Sequence, residues 1–187
     1  MDFQTKIPTA AVLGPALIAF AVVALARQHR GTPGWSGAPL AVRAATALYA
    51  TAAASITLFP LWIYGGAYRN QAEWYTQVQP IPLILADITM IPNIIMFLPL
   101  GFLLPLLRPR ISLRRTVLVS AIASLSIESL QLLQYIAFAN GRAVDINDVI
   151  ANTLGGLLGY ALLRAAQRTT STRTALDRLT SPTHTAE

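Results

Sequence analysis

Residues 126–160 read SIESLQLLQYIAFANGRAVDINDVIANTLGGLLGY. Glu128, Asp145 and Asp148, with Gln131, Asn147, Asn152 and Arg142, sit inside sequence otherwise oily enough for a bilayer. An ionisable group at the centre of a membrane helix costs about 2.5 to 3.5 kcal/mol on insertion scales, so each one kept there points to a site.

Outward from this stretch the same reading continues. With 54% hydrophobic and 12% charged residues, the chain could bury a core in water, but its apolar residues come in blocks rather than stripes. Five blocks are close to the roughly 20 residues that span about 30 Å of hydrocarbon: residues 7–26, 40–63, 88–107, 117–139 and 146–165. The expected fold is an all-α membrane protein, a five-helix transmembrane bundle over residues 1–168 with its motif core at 88–165. No internal repeat supports a duplicated transporter. The absence of cysteine excludes disulfides and thiolate chemistry.

Positive charge sets the expected orientation. Arg27, Arg30, Arg43, Arg108, Arg110, Arg114, Arg115, Arg164, Arg168, Arg173 and Arg178 fall on one side, and Lys6, Arg69 and Arg142 on the other. The positive-inside rule then gives an outward N-terminus, a cytoplasmic C-terminus and an odd number of spans, which agrees with five. Topology accounts for the net charge of +6, and no basic stripe interleaved with aromatics suggests nucleic acid as a partner. Ala24-Leu25-Ala26 resembles a signal-peptidase site, but Arg27 and Arg30 follow the apolar run, the reverse of a signal peptide's charge order. The first loop is a Gly- and Pro-rich turn. Residues 169–187 are polar enough to be a disordered cytoplasmic tail. The outer loop, residues 65–87, carries Tyr68, Trp74 and Tyr75, which read as interfacial anchors or as a lid over a pocket.

Helical geometry gathers the polar residues. Ser124, Glu128, Gln131 and Tyr135 follow at steps of four, three and four along one face, and Asp145, Asp148, Asn152, Gly155 and Gly159 do the same. At 1.5 Å per residue Glu128 lies about 16 Å, Asn152 about 10 Å and Asn93 about 8 Å inside the outer ends of their spans. Each has an ordinary structural explanation. Asp145 and Asp148 are spaced as an N-cap and an N3 acid. Arg142 could anchor at the interface or neutralise Glu128. Gln131 and Asn152 could bond between helices, and Gly155 and Gly159 form a close-packing face. Pro92, Pro99, Gly101 and Pro105 predict a kinked third span. Taken singly these explanations suffice, but they do not account for convergence of three spans at one depth.

The segment NIIMFLPLGFLLPLL (residues 93–107), the SIESLQ of the fourth span and GRAVDINDVIANTLGGLLGY closely resemble the VanZ-like family of bacterial membrane proteins. The resemblance covers about half the chain, chiefly residues 93–160, and the first two spans add nothing so distinctive. It implies a multi-pass protein of the bacterial plasma membrane, in a family whose founding member is associated with low-level teicoplanin resistance. The family's polar pattern falls on Asn93, Glu128, Gln131, Arg142, Asp145, Asp148 and Asn152, the expected ligand-binding residues.

Two function classes remain open. The first is a non-catalytic binding protein whose outward pocket holds a membrane lipid, a lipid-linked cell-wall precursor or an amphiphilic glycopeptide drug. Arg142 would suit a phosphate, and Glu128 and Asp148 would accept from sugar or amide donors. The second is an intramembrane enzyme acting on a lipid phosphate or glycolipid, with Glu128, Asp145 and Asp148 as acid, base or oxygen ligands to a divalent ion. Binding is preferred, with no cofactor and no resident metal. His29 and His184 lie far from the polar stripe, which argues against zinc, and no base is recognisable beside Ser124 or Ser129.

Overall fold

Helix follows helix along the chain because apolar blocks of about 20 residues satisfy every backbone group internally, the only economical state in hydrocarbon. A computed structural model describes residues 1–82, 90–140 and 143–180. Arg142, Asp87, His184 and the first two residues of the predicted third span lie outside the described residues. Five helices are long and apolar enough to cross a membrane: α1 (Thr9–His29), α2 (Gly37–Thr57), α3 (Met90–Leu107), α4 (Leu113–Phe138) and α5 (Ile146–Ala166). The multi-span bundle is thus as expected.

Helix α4 is polar on its buried face and apolar on its exposed face. On α4, Thr116, Ser120, Ser124, Glu128, Gln131 and Tyr135 are buried, whereas Leu118, Ile122, Leu125 and Leu133 are exposed. This is the reverse of a bundle built for water, and it suits lipid outside with polar groups paired within. Helix α1 is peripheral: it packs against α2, and of its side chains only Ala24 is buried.

Helices α3 and α5 are the most extensively packed pair. Small residues permit this approach, since the van der Waals contact that replaces the hydrophobic effect in lipid improves as backbones near. A Cβ built on Gly155 would lie 2.2 Å from the Ile94 carbonyl oxygen, and one on Gly159 2.0 Å from that of Leu98. Gly101 returns the contact, its added Cβ meeting the Gly156 carbonyl oxygen at 1.9 Å. The packing role expected of Gly155 and Gly159 is what the structure shows.

Three elements differ from the sequence expectation. The second span ends at Thr57 and not at residue 63, because Pro60 disfavours helix at Phe59. The residues beyond it form β2 (Leu61–Gly65), antiparallel to β1 (Phe3–Ile7), with Lys6 opposite Trp62 and Phe3 opposite Gly65. Residues 3–7 therefore belong to a strand, and the first span starts two residues later than its apolar run. Finally, the stretch expected to be a disordered tail contains α6 (Thr170–Thr180). Its Leu176 and Leu179, three residues apart on one face, pack against Val42, Leu106 and Leu163. That apolar pair is the physical reason a polar segment is held in a helix.

Candidate functional site

The strands and the outer loop mark one end of the bundle, and α6 with most arginines marks the other. At the first end, α2, α3, α4 and α5 leave a cavity of about 180 Å³. Its walls include Asn93, Glu128, Gln131, Asp148 and Asn152, together with Thr57 and the apolar Ile56, Met96 and Ile127. Five of the seven expected site residues thus share one hollow. Asp145 stands beside it, and Arg142 lies outside the described residues.

Local structure positions each group. Asp145 is the N-cap of α5, its carboxylate accepting from the Asn147 amide at 2.8 Å. The capping explanation therefore holds for Asp145, as the spacing suggested. Asp148 occupies the first turn of α5 and accepts from Asn93 Nδ2 of α3 at 2.5 Å. A carboxylate in the first turn also complements the helix dipole. Glu128, 3% exposed, receives the Asp145 amide at 3.1 Å on Oε2. One bond to a main-chain amide thus ties α4 to the start of α5.

Each of the amides gives one N–H to the protein itself. Gln131 Nε2 donates to the Thr57 carbonyl at 2.9 Å, and Asn152 Nδ2 donates to Ser124 Oγ at 2.9 Å. Acceptors are in surplus. Asn152 is 1% exposed, and among the described residues its Oδ1 receives no hydrogen bond. Two carboxylates line the cavity, and no Lys or Arg among the described residues does so. An occupant must therefore bring donors or positive charge, because a buried acceptor left without a partner costs about 1 to 3 kcal/mol.

The loop after β2, described through residue 82, is fastened next to this site. Its β3 (Val78–Gln79) pairs in parallel with β4 (Val144–Asp145), so the residue whose amide holds Glu128 also borders the loop. Tyr135, at the end of the α4 stripe, donates to the Ala72 carbonyl at 2.5 Å. Arg69 donates to the Ile136 carbonyl at 3.3 Å. Trp74 and Tyr75 are exposed, and Trp74 borders a second hollow of about 280 Å³ beside Tyr135.

Thr57 and Ser124 complete the site and were not among its expected residues. Ser124 was on the legible stripe. Thr57 contributes a main-chain carbonyl, which no sequence pattern marks. For chemistry needing a nucleophile, the serines are poorly placed: Ser124 faces the Asn152 amide, and exposed Ser129 donates to the Leu125 carbonyl of its own helix. Among the described residues no three His, Cys, Asp or Glu side chains come together as metal ligands.

A bundle of membrane-crossing helices, hollowed at one end by a cavity of carboxylates and amides, defines the class: a multi-span integral membrane protein with a polar site between its helices. Within that class the chain belongs to the VanZ/LLP1 family, whose family model matches residues 39–167, more than half of the chain. The match takes in α2 to α5, so the second span is family sequence although its own motifs are not distinctive. Searches of the curated proteins and of the solved structures found no match.

Proposed function

We propose that the protein binds an amphiphilic or lipid-linked component of the bacterial cell envelope through the polar head of that component, without transforming it. The surplus of acceptors in a polar cavity between the helices carries this reading. Glu128, Asp148 and Asn152 Oδ1 offer places for hydroxyl or ammonium donors, and exposed apolar helix faces outside leave the tail in lipid. Size restricts the occupant. Drug-sized ligands occupy roughly 300 to 1,000 Å³, and a dry cavity of about 150 Å³ takes one benzene. At about 180 Å³ the hollow suits a single sugar ring or head group and cannot enclose a glycopeptide. A contribution to teicoplanin resistance would then run through the envelope component and not through capture of the drug. An intramembrane enzyme remains the competing reading, favoured only by the presence of two carboxylates in one cavity.

Native mass spectrometry of the full chain, extracted mildly with its own lipids, tests this. A single class of amphiphile should co-purify with the wild type and be lost from Asn152→Ala, with both proteins monodisperse. Retention by Asn152→Ala, or a wild type that carries no amphiphile, would remove the support for this site.

The same reading needs the cavity to open outward. The arginine asymmetry supports an outward N-terminus and a plasma-membrane location with the α6 end in the cytoplasm. The chain has no cysteine, so single-cysteine variants are clean probes. Gln71→Cys, exposed in the outer loop, should react with an impermeant thiol reagent added to intact cells, and Ser171→Cys, exposed on α6, only after lysis. The opposite pattern would invert the topology.

A further inference from the structure

The opposite end of the bundle holds a larger hollow with different chemistry. A groove of about 1020 Å³ lies where α3 ends and α4 begins, lined by Leu104, Leu118 and Val119 and by Arg108, Arg110 and Arg115. The two helices arrange these residues in the same order of depth. Arg108 follows Leu104 by four residues, just past the end of α3, and Arg115 precedes Leu118 and Val119 by three and four, in the first turn of α4. Each helix thus places a guanidinium at the rim and apolar side chains about one turn, roughly 5 Å, deeper. The rim is also the level at which the apolar spans stop.

Several guanidiniums at this end are engaged elsewhere. Arg27 and Arg43 lie over the Trp35 ring at 4.8 and 5.1 Å, and Arg164 over Tyr160 at 4.9 Å. Arg173 pairs with Asp177 at 3.9 Å, the one ion pair among the described residues. For Arg108, Arg110 and Arg115 no carboxylate or ring partner exists among the described residues. The N-terminus of the 26-residue α4, with Ser112 as its cap, adds the positive end of a helix dipole to the same rim.

We propose that this groove binds an anionic phospholipid. The phosphate sits among Arg108, Arg110 and Arg115, and one acyl chain lies along Leu104, Leu118 and Val119. Charge complementarity selects the class, because zwitterionic lipid would bring its own cation to a rim that already holds three. The depth order selects a lipid over a soluble phosphate, since the apolar floor is of use only to an acyl chain. Basic pockets between spans at the cytoplasmic level are a recurrent way of holding such head groups. The inference does not depend on the polar cavity or its ligand.

The test uses the full chain in neutral detergent, titrated with phosphatidylglycerol or with phosphatidylcholine of the same acyl chains and read by native mass spectrometry. Wild type should bind phosphatidylglycerol at least about tenfold more tightly. The double variant Arg108→Gln with Arg115→Gln should lose about 30-fold in that affinity, taking each arginine at its usual worth near an anionic lipid. Arg114→Gln with Arg168→Gln removes the same charge from exposed positions outside the groove and should change affinity less than about threefold. Equal binding of the two lipids would overturn the proposal without any variant. So would equal loss in both doubles, which means diffuse attraction, or displacement of the lipid by millimolar glycerol 3-phosphate, which means a soluble-anion site.

Discussion

Gly159→Ala is expected to leave little monodisperse protein after extraction, and Gly101→Ala to do the same, although alanine is the better helix former. In an open helical position the change gains up to about 1 kcal/mol. Here the new methyl meets main chain. At Gly159 it would lie 2.0 Å from the Leu98 carbonyl oxygen and 2.9 Å from the Phe102 nitrogen. At Gly101 it would lie 1.9 Å from the Gly156 carbonyl oxygen. A flexible side chain could turn away, but a helix backbone can yield only by moving the whole of α3 off α5. Overpacking costs typically about 1 to 3 kcal/mol even where side chains absorb it, so a net loss of about 3 kcal/mol is expected for each. Gly14→Ala is the internal control, because nothing lies within 4 Å of its added methyl, and it should melt at or slightly above the wild-type temperature. Size-exclusion profiles and thermal melting in detergent read all three. A Gly159→Ala protein as stable as wild type would mean that α3 and α5 do not meet along this line.

What could be read from sequence, and what could not, follows from the range of the interactions involved. The α4 stripe was legible because steps of four, three and four are a property of one helix, and the structure buries Ser124, Glu128, Gln131 and Tyr135 together. The cap at Asp145 is equally local. Five expected residues share one cavity because depth along a span can be counted from its end. The illegible parts depend on pairs distant in sequence. Residues 3–6 precede the apolar run that begins at Ile7, and only the partner strand around residue 63 makes residues 3–7 β1. Similarly, the parallel pairing of Gln79 with Asp145 binds the outer loop to the head of α5 and leaves no pattern in either segment. Helix α6 was missed because overall polarity outweighed Leu176 and Leu179, whose effect depends on what waits for them on α2, α3 and α5. For Glu128 the structure describes a main-chain partner, the Asp145 amide, which no sequence pattern marks, while Arg142, the partner offered from sequence, lies outside the described residues.

That amide separates two roles for Glu128 that a single substitution would confound. Glu128→Gln keeps an oxygen able to accept from the Asp145 amide at nearly the same volume, so the variant is expected to fold, insert and melt close to wild type. Glu128→Ala removes the acceptor, strands a part-buried donor and enlarges the cavity, and should cost about 1 to 3 kcal/mol for the orphaned amide alone. If the carboxylate also holds the head of an envelope component, the well-folded glutamine variant should lose the co-purifying amphiphile. Cells expressing it should also lose any protection against teicoplanin-like drugs that the wild type confers. The double variant Glu128→Gln with Arg142→Gln then tests the remaining role of Arg142. A charge pair whose only task is neutralisation should be dispensable as a pair, so the double would recover both amphiphile and protection relative to either single change. Residues that contact the ligand should not compensate: the double would stay monodisperse and membrane-inserted yet empty. Wild-type levels of bound amphiphile in Glu128→Gln would remove Glu128 from the binding site and leave it the structural task of fixing the start of α5 against α4.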